Sequence, residues 1–306
     1  MTILSLASSI DAQPMTRKSL GKVLLLDADS YCYAVSYNTA KLSTALKNYE
    51  IAVRTIMELA QCATAEIHIT PEGNNKCGRH FLKTVKPYQA NRANIKKSPL
   101  VGLLRAEIPN YFKDAPDITV VASMDYEADD TLMIASFKNP TGTTLCSADK
   151  DLLICPHPSY DENEDKHLVL PNGDTYGYIY RKKWLTPSGG ASSKVIGKGS
   201  KFFLAQMLMG DTADNVKGLI TLNGKSIGEA GTFAYLDPIK DPDEAVNAVI
   251  DGYRAIEQNV IAEGQALWLL RNEDDHVYKF FSEHNLTEVN KDFLNVCMEN
   301  YKHDQA

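Results

Sequence analysis

The chain's 306 residues, 44% apolar and 23% charged, have the composition of a folded protein with room for one large domain or a core and a smaller satellite, which excludes disordered and collagen-like classes. Its apolar runs fall short of the roughly 18 to 20 residues that span a bilayer, and Ile3–Ala7 lacks the basic lead and full apolar core of a secretory signal, so a cytoplasmic protein without a membrane partner is expected. The net charge of −7 argues at first against a polyanionic partner.

Residues before Lys18 read as a loosely held arm. The apolar run from Lys22 to Leu26 predicts a strand buried on both faces, as in a parallel sheet, and Asp27 and Asp29 follow it directly. A helix carrying Leu46, Ile51, Val53, Ile56, Met57 and Leu59, then a strand over 65–70, suggest a right-handed crossover unit. From Gly73 through Ala106 there is no acid, against Lys76, Arg79, Lys83, Lys86, Arg92, Lys96, Lys97 and Arg105. An amphipathic helix is expected over 100–112. The strand 118–122 leads into Glu127, Asp129 and Asp130, which open a helix, and the strand 143–146 leads into Asp149 and Asp151.

A further strand is expected around Tyr178-Ile179-Tyr180-Arg181, and 186–200, rich in Gly and Ser, reads as a mobile loop. The window from Thr175 through Gly210 is again acid-free, with Arg181, Lys182, Lys183, Lys194, Lys198 and Lys201. Two such windows, interleaved with aromatics, suit a phosphate-tracking surface as well as they suit a solvated basic face. A helix from Lys201 to Met209 ends at Gly210, and Asp211 and Asp214 come just after it. Glycines 224, 228 and 231 bracket a turn, helices follow near 243–255 and 260–270, and the C-terminal stretch is helical in pieces.

Carboxylates at a helix start are ordinarily explained by the helix dipole. Here an apolar run followed by closely spaced acids recurs at Asp27, at Glu127, at Asp149 and at Asp211, which capping alone does not explain. In open parallel sheets ligands bind beyond the carboxyl ends of the strands, where this reading places Asp27, Glu127 and Asp149. Gathered in one crevice, the acids would repel one another unless hard divalent cations were present. Two such ions about 3.5–4 Å apart clamp an in-line phosphoryl displacement. The deduction is metal-dependent phosphodiester hydrolysis. The six cysteines form no Cys-x-x-Cys pair and suit reduced thiols, zinc is not expected, and His68 reads as an ordinary strand residue.

In these residues the sequence resembles the bacteriophage-type 5′ nucleases of the flap endonuclease superfamily, which includes the exonuclease portion of bacterial DNA polymerase I and phage exonucleases also called RNase H. The likeness runs from Leu24 to about Leu236. It rests on Leu25-Leu26-Asp27-Ala28-Asp29, Tyr126-Glu127-Ala128-Asp129-Asp130, Ser147-Ala148-Asp149-Lys150-Asp151 and Gly210-Asp211-Thr212-Ala213-Asp214-Asn215, in that order. It implies an α/β fold: a mostly parallel twisted sheet flanked by helices, PIN-like or resolvase-like. A metal-binding core over 18–210 would include a helical arch at 73–112, and 211–306 would form a helix–turn–helix-type DNA-binding region.

By this resemblance Asp27, Glu127, Asp129 and Asp130 would mainly serve a first Mg²⁺, and Asp149, Asp151, Asp211 and Asp214 a second, with Mn²⁺ able to substitute. Lys86-Pro87-Tyr88-Gln89-Ala90-Asn91-Arg92 is similar to the gateway helix, where Tyr88 would stack on a base and Lys83, Lys86 and Arg92 would draw the scissile phosphate inward. Arg79, Lys96, Lys97, Lys225 and Gly228 would bind nucleic acid. Three departures stand out: Gln89 occupies a position usually held by Lys, Glu72 replaces an expected Asp, and the Gly-x-Gly phosphate loop is only partly present around Gly228, which leaves a K⁺ site there open.

The implied substrates are DNA with a 5′ end or 5′ flap, extending to RNA–DNA hybrids. Candidate partners are a replication polymerase and a single-strand-binding protein, in a host cytoplasm if the chain is phage-encoded. Two alternatives stay open. A haloacid-dehalogenase-like phosphatase would use Asp27 as nucleophile and Asp29 as general acid, and a catalytically idle protein of the same fold would hold branched DNA.

Overall fold

The computed structural model describes residues 21–37, 39–92, 98–171, 173–186 and 189–305. The expected N-terminal arm, with Ile3–Ala7, and Lys96 and Lys97 lie outside the described residues. The chain divides into two compact units, one built from Met1–Cys77, Lys96–Leu152 and His157–Pro171, the other from Gly78–Ile95, Leu153–Pro156 and Asn172–Ala306.

In the first unit the elements are β1 (Lys22–Asp27), α1 (Ala28–Ser36), α2 (Leu42–Leu59), β2 (Cys62–Ile69), α3 (Pro99–Tyr111), β3 (Ile118–Ala122), α4 (Ala128–Lys138), β4 (Thr143–Cys146), β5 (Ser159–Asp161) and β6 (Lys166–Leu168). The sheet order is β3-β2-β1-β4-β5-β6. All neighbours pair in parallel except β5 with β6. The unit is thus the expected α/β arrangement of a mostly parallel sheet flanked by helices.

Leu24, Leu25 and Leu26 are all fully buried, as a central parallel strand requires. Successive side chains point to opposite faces. Leu24 and Leu26 join Ile67, Cys146 and the buried faces of α1, α2 and α3, including Tyr49, Ile56, Leu104 and Ile108, in one core. Leu25 and Asp27 therefore point to the other face, where α4 lies along β1, β2 and β4. The chain adds β2 and then β3 on one side of β1 and returns to place β4 on the other, so the order reverses between β1 and β4. A crevice forms outside the strand ends at such a switch point.

In the second unit β7 (Tyr178–Leu185) and β8 (Ala191–Lys198) form an antiparallel ribbon, followed by α5 (Ser200–Met209), α6 (Glu229–Leu236), α7 (Pro242–Arg254), α8 (Val260–Leu267), α9 (Val277–Ser282) and α10 (Glu288–Gln305). The mobile loop expected over 186–200 is corrected by β8. Its Gly and Ser residues sit in a strand because β7 satisfies their backbone groups and because Val195 is fully buried.

Helix α5 buries every residue from Lys201 to Leu208, which suits a helix that is apolar nearly all round. Phe203 stacks edge-on against Trp268 and Phe280, at 4.8 and 5.4 Å between ring centres. Gly210 closes this helix at φ +76°, where a Cβ would fall 2.4 Å from the Lys217 carbonyl oxygen. Among the described residues no helix is long and apolar enough to cross a membrane.

Candidate active site

The switch point is marked by Asp27 at the end of β1. This side chain is 4% exposed. One of its oxygens accepts the Asp29 N–H at 3.0 Å and so caps α1. The other accepts the Ser147 hydroxyl at 2.7 Å. Ser147 in turn accepts the Asp149 N–H at 2.9 Å, and the Asp149 carboxylate accepts the Asp151 N–H at 2.9 Å. A continuous run of hydrogen bonds thus ties β1 to the turn after β4 and fixes the backbone that carries Asp149 and Asp151. Lys150 neutralises Asp151 at 2.8 Å.

Helix α4 brings the remaining acids. Glu127 occupies its N-cap position without a side-chain capping bond, so the acid there is not explained by capping. Instead Lys76 pairs with Glu127 at 3.4 Å, and the first N–H of the helix, from Ala128, goes to the Thr70 hydroxyl at 2.9 Å. Asp130 is fully buried and Asp129 half-buried.

These carboxylates lie near enough to act on one another's charge. Burial holds the Asp129 carboxyl well above the usual range, and the charges of Asp27, Asp149, Glu127 and Asp130 push it the same way. Asp149 is pushed up to about 6, by the protein crowded around its carboxylate and by Asp151 and Asp27, against the pull of Lys150. Burial and Asp29 raise Asp27, although the Ser147 hydrogen bond works against them. Asp29 is raised by burial and held by Arg105 at 2.9 Å.

Among the described residues no group of three or more His, Cys, Asp or Glu side chains is arranged to hold a metal ion by itself. The donor set nevertheless fits a hard cation. It offers carboxylate oxygens alone, close enough to raise one another's pKa, and Mg²⁺ keeps several waters and shares its shell with substrate phosphate instead of demanding an all-protein cage. Glu72 is exposed.

Asp211 and Asp214 belong to the second unit, where both carboxylates shape the local backbone. Asp211 is 2% exposed, and one of its oxygens accepts the N–H groups of Ala213 and Asp214 at 2.6 and 3.2 Å, an Asx-type turn. Asp214 grips the gateway-like segment. Its Oδ1 accepts from Arg92 at 2.5 Å and Gln89 at 2.8 Å, its Oδ2 accepts the Tyr88 hydroxyl at 3.3 Å, and its carbonyl accepts the Gln89 N–H at 2.8 Å. Gln89 is thereby given a task that a longer, charged Lys is not needed for.

Two side chains stand differently from expectation. Tyr88 is 5% exposed, edge-on to His80 at 5.7 Å, so it presents no open ring face to a base. Arg79 is 2% exposed and donates to the Trp268 carbonyl at 2.7 Å, which makes it a packing residue and not part of a basic surface. Only a 3₁₀ turn, Ala90–Arg92, forms where a gateway helix was expected. Lys83, Lys86, Lys225 and Gly228 are exposed, and a Cβ at Gly228 would meet nothing within 4 Å. Sequence reasoning gave Ser147, Thr70 and Arg105 no part in positioning the acids. Ser147 alone carried a signal, as a hydroxyl between a strand end and Asp149.

Fold and site together define an α/β protein with a cluster of acids at the switch point of a mostly parallel sheet. No family model matches the sequence, and no curated protein matches it. Among solved structures, the chain is similar to the D15 protein of bacteriophage T5 co-crystallised with metal ions, at 14% identity over 91% of this chain and 98% of that one, with a TM-score of 0.53. It is similar also to the bacteriophage T5 D15 flap endonuclease in a pseudo-enzyme-product complex with DNA and metal ions, at 14% identity over 92% and 99%, with a TM-score of 0.50. These likenesses establish the fold.

Proposed function

We propose that the protein is a divalent-metal-dependent 5′ nuclease that hydrolyses phosphodiester bonds of DNA, as a 5′→3′ exonuclease or 5′-flap endonuclease, leaving a 5′-phosphate on the downstream fragment. The observation that supports this reading is the charge coupling of Asp129 to Asp27 and Asp149, carried by α4, β1 and the turn after β4, with Ser147 bonded to both Asp27 and the Asp149 backbone. Fold likeness to a flap endonuclease solved with DNA and metal ions supports the same reading.

Asp27, Glu127, Asp129, Asp130, Asp149 and Asp151 would hold the ions, Mg²⁺ in the first place. Bound there, the ions would neutralise charge on the scissile phosphate as it reacts. The protein's own contribution is placement. Ser147 fixes Asp27 and the Asp149 backbone, Lys76 and Lys150 moderate the negative field, and the exposed Lys83 and Lys86 hold phosphates of the approaching strand. RNA–DNA hybrids present the same phosphates and fall within this substrate class. The phosphatase alternative is weakened because Asp29, its general acid, is engaged by Arg105 at 2.9 Å.

The test is incubation with end-labelled flap, nicked and blunt substrates in Mg²⁺ and in chelator, with Asp149→Asn alongside. Cleavage in Mg²⁺ that the chelator stops and Asp149→Asn abolishes, while that variant still binds substrate in Ca²⁺, is the expected result. Tight flap binding without cutting would make this an idle DNA holder. Hydrolysis confined to small phosphate esters would favour the phosphatase.

A further inference from the structure

The β7–β8 ribbon has two unlike faces. On one, Ile179 and Val195 are 4% and 0% exposed. On the other, Tyr178, Tyr180, Lys182 and Trp184 alternate along β7 at the period of a strand, and the three aromatic side chains are 42%, 41% and 45% exposed. The register sets Lys194 directly opposite Lys182, with Ile196 opposite Tyr180 and Ser192 opposite Trp184, so all of these share the open face. The Tyr178 and Tyr180 rings are neighbours, 6.1 Å apart at 37°. Arg181 and Lys183 alternate onto the other face, where Arg181 donates to Ser193 at 2.6 Å, and no acid occurs in the sequence from Thr175 to Gly210.

Large aromatic surface is exposed on a sheet of only two strands among the described residues, and the register sets Lys182 and Lys194 side by side along it. A polyanion carrying flat apolar rings matches both features: its anions meet the lysines and its rings cover the aromatics. In a chain whose net charge is −7, so local a cationic stripe is also a directional attraction.

We propose that the open face of the β7–β8 ribbon is a binding surface for single-stranded nucleic acid, in which Tyr178, Tyr180 and Trp184 stack on bases while Lys182 and Lys194 meet phosphates. The choice of nucleic acid as occupant rests on the nuclease reading above, but the surface binds without metal and without cleavage. Because every base has a π face, the binding is insensitive to sequence.

The chain's two tryptophans make the test direct, since Trp184 is exposed and Trp268 is 4% exposed. An oligothymidylate titrated into the full chain in chelator should quench the Trp184 emission, and Asp149→Asn protein should behave the same. Trp184→Phe should lose the signal and keep most of the affinity for a labelled oligonucleotide. Trp184→Ala and Tyr180→Ala should each weaken that affinity by roughly 5- to 150-fold, with melting temperatures checked against the parent. An unquenched Trp184 together with unchanged affinity in both alanine variants overturns the proposal. So does sedimentation showing that the chain self-associates through Trp184 while oligonucleotide affinity ignores the substitution. Quenching without any cleavage in Mg²⁺ would instead uphold the ribbon and sink the nuclease reading.

Discussion

The Ser147 hydroxyl donates to the buried Asp27 carboxylate over 2.7 Å and accepts the Asp149 N–H at 2.9 Å. One short side chain thus joins the ends of β1 and β4 at the point where the strand order reverses. Ser147→Ala removes a donor from a carboxylate that is 4% exposed, and a buried acceptor left short of a partner costs about 1–3 kcal/mol. The expected outcome is a lower unfolding midpoint in denaturant and a rise of several-fold in the Mg²⁺ concentration needed for half-maximal cleavage. Ser147→Thr, which keeps the hydroxyl, should restore both. An unchanged metal dependence in the alanine variant would mean that Ser147 holds the fold alone.

Lys83 and Lys86 are exposed just before the segment 88–92 that Asp214 anchors. If both meet phosphates, replacing them with Ala lowers substrate affinity and flattens the plot of log affinity against log salt. Each lost phosphate contact takes about 0.7–0.9 from that slope. Binding measured between 50 and 300 mM salt in Ca²⁺ should therefore show a slope reduced by roughly 1.5 in the double variant. A weakened but parallel line would place the two lysines away from the nucleic acid.

The sheet was legible because its strands announce themselves. The runs 118–122 and 143–146 are short, apolar and β-branched, bounded by polar residues, and each matches a strand in full. The places of Asp27, Glu127 and Asp149 just beyond the ends of β1, β3 and β4 were legible too, since they needed only the order of elements. What stayed hidden depends on partners remote in the chain. The burial of Arg79 is decided by a carbonyl at Trp268, and that of Tyr88 by Asp214. Helix α1 was missed because Asp27, read only as a ligand, also caps it. Strand β8 was missed because Gly and Ser mask a strand whose stability comes from β7. The Asn223-Gly224 pair is a turn with a local signal: both residues have positive φ and sit between the bridged Leu222 and Lys225, as a two-residue hairpin turn demands.

Asp214 sits where the family resemblance assigns a metal ligand, yet both its oxygens are engaged by Tyr88, Gln89 and Arg92. The two roles separate by experiment. As an anchor, Asp214→Ala should speed amide hydrogen exchange and proteolysis across 87–92 in the absence of metal, and Arg92→Ala with Gln89→Ala should reproduce that loosening. As a ligand alone, Asp214→Ala would raise the Mg²⁺ requirement while leaving exchange in 87–92 untouched. The expected outcome is faster exchange, by at least tenfold, in both sets of variants.

Asp275 gives the second unit one pH-sensitive ion pair. Its side chain is fully buried, and it accepts from Trp268 Nε1 at 2.9 Å and from Arg271 through the backbone N–H, Nε and Nη2 at 2.9, 3.0 and 3.0 Å. Burial alone would raise this carboxyl, but the bonds and charge of Arg271 outweigh it and hold the group below the usual carboxylate range. A group whose folded pKa is depressed stabilises the fold above its unfolded pKa, near 3.9 for Asp, and loses that contribution as pH falls through the folded value. Asp275→Asn should therefore cost about 1.5–3 kcal/mol at pH 7, since Trp268 and Arg271 lose a charged buried acceptor while Arg271 keeps Glu283 at 2.6 Å. The gap between variant and parent should narrow as pH drops below about 4, because protonation takes the same charge from the parent. Urea melts of both proteins at pH 7, 5 and 3.5 check the sign, and a gap that widens in acid would show that Asp275 is not the group being titrated.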